Sequence, residues 1–494
     1  MNIKKISFLI ISYLVITCAF SQQVEVTRKN ISNIDQTPTR VQTSLNPKLK
    51  KIGNLLPKGI DEISTSIWSL GCETLDRNHA SWKNYRNYIG PLGIKHIRLQ
   101  GGWGRTEKEK GVYNFAWLDS IVDDAHSLGL QVCLETSYGN RLYEEKAALG
   151  PGGKLPSGDE TLKAWDTWVE AMVKRYSARG VKDWMMYNEP NLNKANKVED
   201  MATFNIRTAE IIKRIDPEAR IGGLVLSDTN LEIVENYLKL LKEQGKEKLF
   251  HWLIYHAYGA NPDAVYPSVE KIQELIQKYA SHLKLWQGEA GCASEEVQYA
   301  LKGVDWTELS HAKWNARRMI GDIGHGVKSA VFTISDLSYH KDFISRYGLL
   351  KTNPDNSIIK VKTAYYVVQN VVSVLNDATE LVNDCDIKII CDKKLSLYTF
   401  KDKETGFPLI VFWDGTSIPS NDCDMIKASF ALKGIKLHEP VWVDLITGNI
   451  HDIPSEQMIF DGSANFFNEI PVYDGPSLIT DKSLLTFTPV RQKK

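Results

Sequence analysis

Two glutamates at the ends of short apolar runs are the side chains best suited to chemistry in this chain. Glu189 lies in residues 183–190 (DWMMYNEP), and Glu289 lies in residues 285–291 (LWQGEAG). Each run predicts a buried strand, because the Pro or Gly after the glutamate stops a strand. Two carboxylates at strand ends could cleave a glycosidic bond, one as acid and then base, the other as nucleophile or as base toward water. Either glutamate alone could be a solvated loop residue, so the prediction depends on the pair.

Eight short apolar runs alternate with helical patterns through the middle of the chain. The predicted strands lie at residues 66–71, 94–100, 130–136, 184–188, 220–226, 250–256, 283–289 and 329–335. Helical spacing of apolar residues recurs at 117–125, 162–173, 203–215, 231–241, 269–283, 311–323 and 361–375. An alternation of eight strands with eight helices predicts an α/β fold, the (β/α)8 or TIM barrel.

After residue 376 the helical patterns stop. Residues 395–400, 409–413 and 441–445 have strand composition, and the runs at 414–415, 447–449 and 474–476 are typical of turns. We therefore predict a signal peptide at 1–21, a leader at 22–60, a catalytic barrel at 61–376 and a small accessory β-sandwich at 377–494. Strands close to the leader are candidates to join the sandwich.

The first residues are typical of an exported protein. Lys4 and Lys5 precede an apolar stretch at residues 6–19, and small residues at 19 and 21 suit a signal peptidase. We expect a secreted or periplasmic protein, with lipid anchoring at Cys18 as the second choice. Residues 20–494 contain no stretch that predicts a transmembrane anchor.

Composition excludes some partners. The 494 residues contain 60 basic and 60 acidic side chains, so the net charge gives no reason to expect a nucleic acid. The six cysteines after the signal show no metal-ligand spacing and are expected to be free, although export would permit disulfides. We predict a carbohydrate as the partner and no cofactor, and the oligomeric state stays open.

Other residues at strand ends could complete a pocket with the glutamates. Arg98 lies in an apolar strand, where burial is costly without a carboxylate partner such as Glu289. Asn188 could bind a sugar hydroxyl, and His256 and Tyr258 alternate so that both could face one pocket. A structural ion pair and a core histidine are the plain alternatives. Further candidates, each with an equally plausible structural role, are Glu73, Trp103, Glu135, Tyr138, Asn140 and Asp336.

Residues 60–375 resemble the clan of retaining (β/α)8-barrel glycoside hydrolases, most closely family 39. The resemblance is carried by YNEPNL at 187–192, GVYNF at 111–115, Ser335-Asp336, YGLL at 347–350 and AYY at 364–366. It implies that Glu189 is the acid/base and Glu289 the nucleophile. A retaining pair should hold its carboxyl groups about 5–5.5 Å apart.

The chain departs from the family where the cleaved sugar would be held. The family usually has a histidine soon after the arginine strand, Thr-Glu-Trp at the nucleophile and Trp at the eighth strand. This chain has LQGGW at 99–103, Gly288-Glu289-Ala290 and Val331-Phe332-Thr333. These differences indicate a divergent subgroup and leave the sugar open.

We therefore predict a secreted retaining glycoside hydrolase that cleaves a poly- or oligosaccharide by double displacement. The alternative is a non-catalytic carbohydrate-binding protein on a degenerate barrel. A barrel lyase or aldolase would need a Schiff-base lysine or metal ligands at strand ends, and the sequence offers no such set.

Overall fold

The computed structural model describes residues 41–490 except 66, 298–299, 341–342, 435–436 and 462–463. Eight parallel strands close into a barrel, each beside the next along the chain, with the eighth pairing with the first. The barrel strands are Trp68–Gly71, His96–Gln100, Gln131–Glu135, Asp183–Met185, Arg220–Leu226, Trp252–Tyr255, Lys284–Gln287 and Lys328–Val331. The predicted barrel is confirmed, and each strand overlaps a predicted one.

Helices cover the outside of the barrel with their apolar faces turned inward. The seven long helices that the structure describes are Ala116–Ser127, Asp159–Ser177, Val198–Ile215, Leu231–Glu243, Tyr266–Ala280, Glu308–Gly324 and Thr363–Val374. Each overlaps a predicted helix. A one-turn helix, Trp103–Thr106, follows the second strand.

The prediction of an eighth long helix around the barrel is wrong. Between the first and second strands the structure has one short helix, Trp82–Tyr85, and three 3-10 turns at Leu75–Arg77, Arg86–Tyr88 and Gly90–Leu92. Pro91 and Gly93 lie in this connection, and both residue types end helices. The connection is therefore built from short turns, some of which border the mouth of the barrel.

Three hairpins extend from the carboxyl end of the barrel strands. The first follows the second strand, and the other two follow the eighth strand. They are Glu107–Glu109 with Val112–Tyr113, Leu337–His340 with Phe343–Ser345, and Leu350–Thr352 with Ile358–Val361. All three hairpins therefore belong to the loops that follow strand ends.

Two antiparallel sheets form the β-sandwich that the sequence predicted. In spatial order the larger sheet contains Thr379–Leu381, Leu395–Asp402, Pro408–Asp414, Ser477–Asp481, Pro440–Asp444, Asn449–Asp452, Lys51–Leu55 and Phe487–Pro489. The smaller sheet contains Ile387–Ile390, Ile426–Lys433, Ala464–Val472 and Met458–Phe460. Apolar side chains such as Phe412, Phe430 and Ile470 fill the space between the sheets.

The strand Lys51–Leu55 corrects the reading of residues 22–60 as a leader with little structure. It lies in the larger sheet between Asn449–Asp452 and Phe487–Pro489, and it is antiparallel to both. A strand from before the barrel thus completes the sheet that follows it.

The barrel and the sandwich share one hydrophobic core. The largest core cluster contains Trp314 and Val371 from barrel helices together with Leu409 and Trp413 from the sandwich. Polar contacts reinforce the junction, since Asn370 Nδ2 donates to the carbonyl of Leu445 at 3.0 Å. The sandwich therefore packs directly on the outer helices of the barrel.

The predicted signal peptide at 1–21, Cys18 and residues 22–40 lie outside the described residues. Within the described part of the chain, no helix combines the length and apolar character needed to cross a bilayer. The six described cysteines are all unbonded to one another.

Candidate active site

The two glutamates lie together at the carboxyl end of the barrel. Glu189 follows the fourth strand with a left-handed φ of 49°, and its N–H donates to the carbonyl of Val225 in the fifth strand at 3.0 Å. Glu289 follows the seventh strand. One carboxylate oxygen of each glutamate and one ring nitrogen of His256 all lie within 4.8 Å of one another. This arrangement suits a retaining pair, in which the carboxyl groups are about 5–5.5 Å apart.

Hydrogen-bond donors around Glu289 favour its charged form. Arg98 in the second strand donates from Nη2 to Glu289 Oε2, and the Tyr258 hydroxyl donates to Oε1 at 2.7 Å. Burial by itself raises the pKa of the Glu289 carboxyl, but His256, Arg98 and Tyr258 together lower that pKa below its usual value. A carboxylate kept ionised inside a pocket is suited to nucleophilic attack.

His256 connects the two glutamates. Its Nδ1 lies 2.8 Å from Glu189 Oε1, and its Nε2 lies 3.3 Å from Nη1 of Arg98. An arginine can only donate, so Nε2 accepts that bond and the ring proton belongs on Nδ1, which donates to Glu189. The His256 ring is therefore oriented by Arg98 and in turn orients the Glu189 carboxyl group.

Arg98 is fully buried and faces three carboxylates. Its Nε donates to Glu73 Oε1 at 2.5 Å and lies 3.9 Å from Glu135 Oε2. Burial raises the pKa of Glu73 to about 8, with Arg98 opposing the shift and Glu289 and Glu135 adding to it. Burial also raises the pKa of Glu135 to about 7, again against Arg98. One guanidinium does not keep all three acids ionised at neutral pH, and Glu289 is the acid that stays charged.

Asn188 and Tyr138 lie beside Glu189 at the base of the pocket. Asn188 Nδ2 donates to the Tyr138 hydroxyl at 2.9 Å, and Gln100 Nε2 donates to the same oxygen at 3.3 Å. The buried Oδ1 of Asn188 has no hydrogen-bond partner among the described residues. A buried acceptor without a partner can accept a hydrogen bond from a sugar hydroxyl.

Three predicted pocket residues lie elsewhere and have structural roles. Trp103 is fully buried, stacks on Trp168 with ring centroids 5.8 Å apart, and donates from Nε1 to Glu107 at 2.5 Å. Asn140 Nδ2 donates to the Glu107 carbonyl at 3.0 Å. Asp336 is fully buried between Lys362, at 2.6 Å, and Arg346, at 2.9 Å. Each of these side chains bonds to other groups of the protein.

Two further aromatic rings pack around the predicted site residue Tyr258. The rings of Phe332 and Tyr347 each lie 6.0 Å from the Tyr258 ring. Phe332 directly follows the eighth barrel strand, at a position where the resemblance places the cleaved sugar. Tyr347 comes from the connection between two hairpins, and the strand pattern gives no signal for it.

Glu189, His256 and Glu289 have ligand atoms that are close enough to share a metal ion. The Arg98 guanidinium donates to Glu289, and the Tyr258 hydroxyl donates to the same carboxylate. A fixed positive charge in contact with one carboxylate opposes a divalent cation at that position. The donor set therefore does not fit a metal ion.

Comparison with known protein families finds one match to this chain. Residues 64–286 match the model described as Glycosyl hydrolases family 39. The matched range contains Glu189 and ends three residues before Glu289. A comparison with curated proteins found no match.

Solved structures share the fold at low sequence identity. A family 39 glycoside hydrolase from the gut symbiont Bacteroides cellulosilyticus WH2 is 16% identical with a TM-score of 0.62, over 85% of this chain and 81% of that one. A monomeric beta-xylosidase from Caulobacter crescentus CB15 is 15% identical with a TM-score of 0.55, over 90% of this chain and 98% of that one. A glucosidase from Croceicoccus marinus is 14% identical with a TM-score of 0.52, over 87% and 98%. At these identities the likeness concerns the fold.

Proposed function

We propose that this chain, which is a (β/α)8-barrel glycoside hydrolase of the family 39 type, cleaves O-glycosidic bonds with retention of configuration by using Glu189 and Glu289. The observation that carries the proposal is the pair itself. One oxygen of each carboxylate lies within 4.8 Å of the other at the ends of the fourth and seventh strands, and the donors around Glu289 keep that residue charged.

In the first step the Glu289 carboxylate attacks the anomeric carbon. The glycosidic C–O bond breaks, and Glu189 donates its proton to the leaving oxygen. Arg98 and Tyr258 hold Glu289 in place through both carboxylate oxygens. The product of this step is a glycosyl ester on Glu289 and a free alcohol.

In the second step Glu189, now a carboxylate, removes a proton from water while the water oxygen attacks the anomeric carbon. The ester bond breaks, Glu289 leaves as a carboxylate, and Glu189 regains its proton. The Nδ1–H of His256, 2.8 Å from Glu189, supports this carboxylate between the two steps.

The substrate class proposed is a poly- or oligosaccharide outside the cytoplasm. The amino-terminal pattern of Lys4, Lys5 and an apolar stretch supports export. The departures from the family at Gly288, Ala290 and Phe332 all lie next to the reacting group, so the sugar cannot be transferred from the family. Screening of aryl glycosides and polysaccharides should identify it.

Product stereochemistry and two variants test the mechanism together. NMR of the first product formed by the wild type should show the anomeric configuration of the substrate. Glu189→Ala should lose about 10²–10⁴ of its rate on poor leaving groups, and azide should restore turnover as a glycosyl azide of retained configuration. Glu289→Gly should form no glycosyl-enzyme, and azide should give a product of inverted configuration. An inverted wild-type product, or retained azide products from Glu289→Gly, would show that the assigned roles are wrong.

A further inference from the structure

A basic cavity adjoins the catalytic glutamates. It has a volume of about 550 Å³ and is formed by the loops after the first three barrel strands. Its wall includes Tyr138, the residue whose hydroxyl accepts the hydrogen bond from Asn188 at 2.9 Å. Asn188 immediately precedes Glu189, so Tyr138 and Asn188 connect the wall of the cavity to the glutamates.

The cavity carries more positive than negative charge. Arg77, Arg105 and Lys108 line it, and the carboxylate in its lining is Asp76. Asp76 pairs with Arg77 at 3.3 Å. In the part of the chain that the structure describes, neither Arg105 nor Lys108 pairs with a carboxylate. Asp76 interacts electrostatically with both Arg77 and Arg105, so the lining sets one carboxylate against three cations.

Neutral groups also help to hold both arginines in place. Arg105 donates from Nη1 to the Leu75 carbonyl and, at 2.8 Å, to Asn78 Oδ1, and its guanidinium lies 4.4 Å from the centre of the Trp117 ring. Such partners fix a guanidinium without neutralising it, so little side-chain entropy is lost when an anion binds.

Arg77 is fixed in a similar way on the side nearer to the glutamates. Its Nη2 donates to Gln100 Oε1 at 3.0 Å, and its guanidinium lies 5.0 Å from the centre of the Tyr138 ring. Lys108 is exposed at the rim and donates to the Gly104 carbonyl at 2.5 Å. The cations thus extend from the depth of the cavity to its rim, as a site for a charged sugar requires.

We propose that this cavity, defined by Arg77, Arg105 and Lys108, binds the carboxylate or sulfate group of the sugar next to the one that is cleaved. The protein is then selective for an anionic saccharide. This inference rests on the proposed glycosidase function. A planar guanidinium matches the oxygens of a carboxylate or sulfate in a bidentate contact. A neutral sugar cannot form an ion pair with Arg105 or Lys108.

Matched substrates separate charge from shape. Oligosaccharides that carry only carboxylates are compared with the same chains after reduction of the carboxyl groups to alcohols. Oligosaccharides that carry only sulfates are compared with their desulfated forms. The wild type should prefer one charged member over its neutral form by at least about tenfold in kcat/KM, and this identifies the anion. The preference should fall as salt increases.

Variants then assign the preference to the cavity. Arg105→Gln with Lys108→Gln should reduce the ratio of kcat/KM between the charged and neutral members at least about tenfold. Lys83→Gln removes an exposed lysine outside the cavity and should leave the ratio unchanged. If the double variant fails to fold, Lys108→Gln alone provides the test, because Lys108 is exposed and its replacement should not disturb folding. This single variant should still lower the ratio of kcat/KM between the charged and neutral members.

The two proposals fail in different ways. Equal rates on charged and neutral members by the wild type, or an unchanged ratio in the variants, overturn the anion site while leaving the glycosidase intact. If the wild type hydrolyses no glycoside, the proposed function fails, and calorimetric binding of the same saccharides to wild type and Lys108→Gln decides on the cavity alone. No charge preference in that binding would overturn the inference.

Discussion

The barrel carries a buried charge cluster at each end, and the two clusters are balanced in opposite ways. At the amino-terminal end one carboxylate, Asp183, meets several basic groups. At the carboxyl end one guanidinium, that of Arg98, meets three carboxylates. The two clusters share the second barrel strand, which contributes His96 to the first and Arg98 to the second.

The amino-terminal cluster is saturated with hydrogen bonds. Arg220 donates to both oxygens of Asp183, at 2.6 and 2.8 Å, and His96 Nε2 lies 2.5 Å from Oδ2. Burial opposes ionisation of Asp183, but His96 and Arg220 outweigh it and lower its pKa to about 2. Lys328 lies 3.2 Å from the other ring nitrogen of His96. A carboxylate so fully bonded stabilises the fold and has no capacity left for a reaction.

The carboxyl-end cluster is short of positive charge, which keeps acid chemistry available. The raised pKa values of Glu73 and Glu135 mean that protons are retained near neutral pH. Glu289 alone receives enough donors to remain ionised. The comparison indicates that an excess of acid over base marks the reactive end, and that complete pairing marks the structural end.

Replacing Arg98 should break the reactive end with the largest effect. Arg98→Leu removes the donor to Glu289 and should lower kcat/KM about 10²–10³-fold, because the attacking carboxylate loses its charge and its position. The acidic limb of the pH profile should move upward, since burial then dominates the pKa of Glu289. Steady-state kinetics across pH, with circular dichroism to confirm folding, measures both. A variant that folds and keeps full turnover would contradict the role of Arg98.

Replacing Asp183 should break the structural end alone. Asp183→Asn leaves Arg220 and His96 with a neutral partner and should cost about 3 kcal/mol of unfolding free energy, while kcat changes by less than about twofold. Urea unfolding and initial rates measure the two quantities. Asp119→Asn, which weakens an exposed pair with Arg175, should cost less than about 1 kcal/mol. A large loss of kcat in well-folded Asp183→Asn would remove the distinction between the ends.

The two ends should also respond to pH in opposite directions. The pKa of Asp183 is below its usual value, so its stabilisation is present above about pH 4 and is lost as pH falls toward 2. The pKa of Glu73 is raised from 4.5 to about 8, so stability falls as pH rises between those values. Glu73→Gln should reduce the loss of unfolding free energy between pH 5 and pH 8 by at least about 1.4 kcal/mol, the equivalent of one pKa unit. An identical slope in wild type and variant, by urea unfolding, would contradict this.

The smallest effect should come from one hydroxyl. Tyr258→Phe removes the 2.7 Å hydrogen bond to Glu289 and leaves Arg98 in place. The expected loss is about 1 kcal/mol of transition-state stabilisation, or a five- to tenfold fall in kcat. Tyr237→Phe removes a buried hydroxyl bonded to Asn205 instead, and should leave kcat unchanged. Equal effects of the two changes would show that Tyr258 acts only through packing.

The fold could be predicted because each barrel strand is a short apolar run with a turn residue after it. The register between strands could not be predicted, and this register decides which acidic side chains contact Arg98. Glu73 and Glu135 follow different strands, so only the closed barrel shows that both face one guanidinium. The roles of Glu189 and Glu289 stay predictions until the variants are measured.

The position of an aromatic residue after a strand does not predict where its side chain points. Trp103 is a residue type that can stack on a sugar, but Trp165 and Trp168 on the helix Asp159–Ser177 pack against it. Their pattern at helical spacing was visible in the sequence, while the direction of the Trp103 side chain was not. The ion pair of Asp336 was also not visible in the sequence, because its partner Lys362 lies 26 residues away in the chain.

The strand Lys51–Leu55 is synthesised long before the strands with which it pairs. Asn54 bonds to Asn449 across 395 residues of chain, so at about 5–20 residues per second its partners leave the ribosome about 20–80 s later. An unpaired strand that waits so long can pair with the same strand of a neighbouring chain. Lys48, Lys50 and Lys51 lie at its start, where their mutual repulsion discourages such pairing between nascent chains.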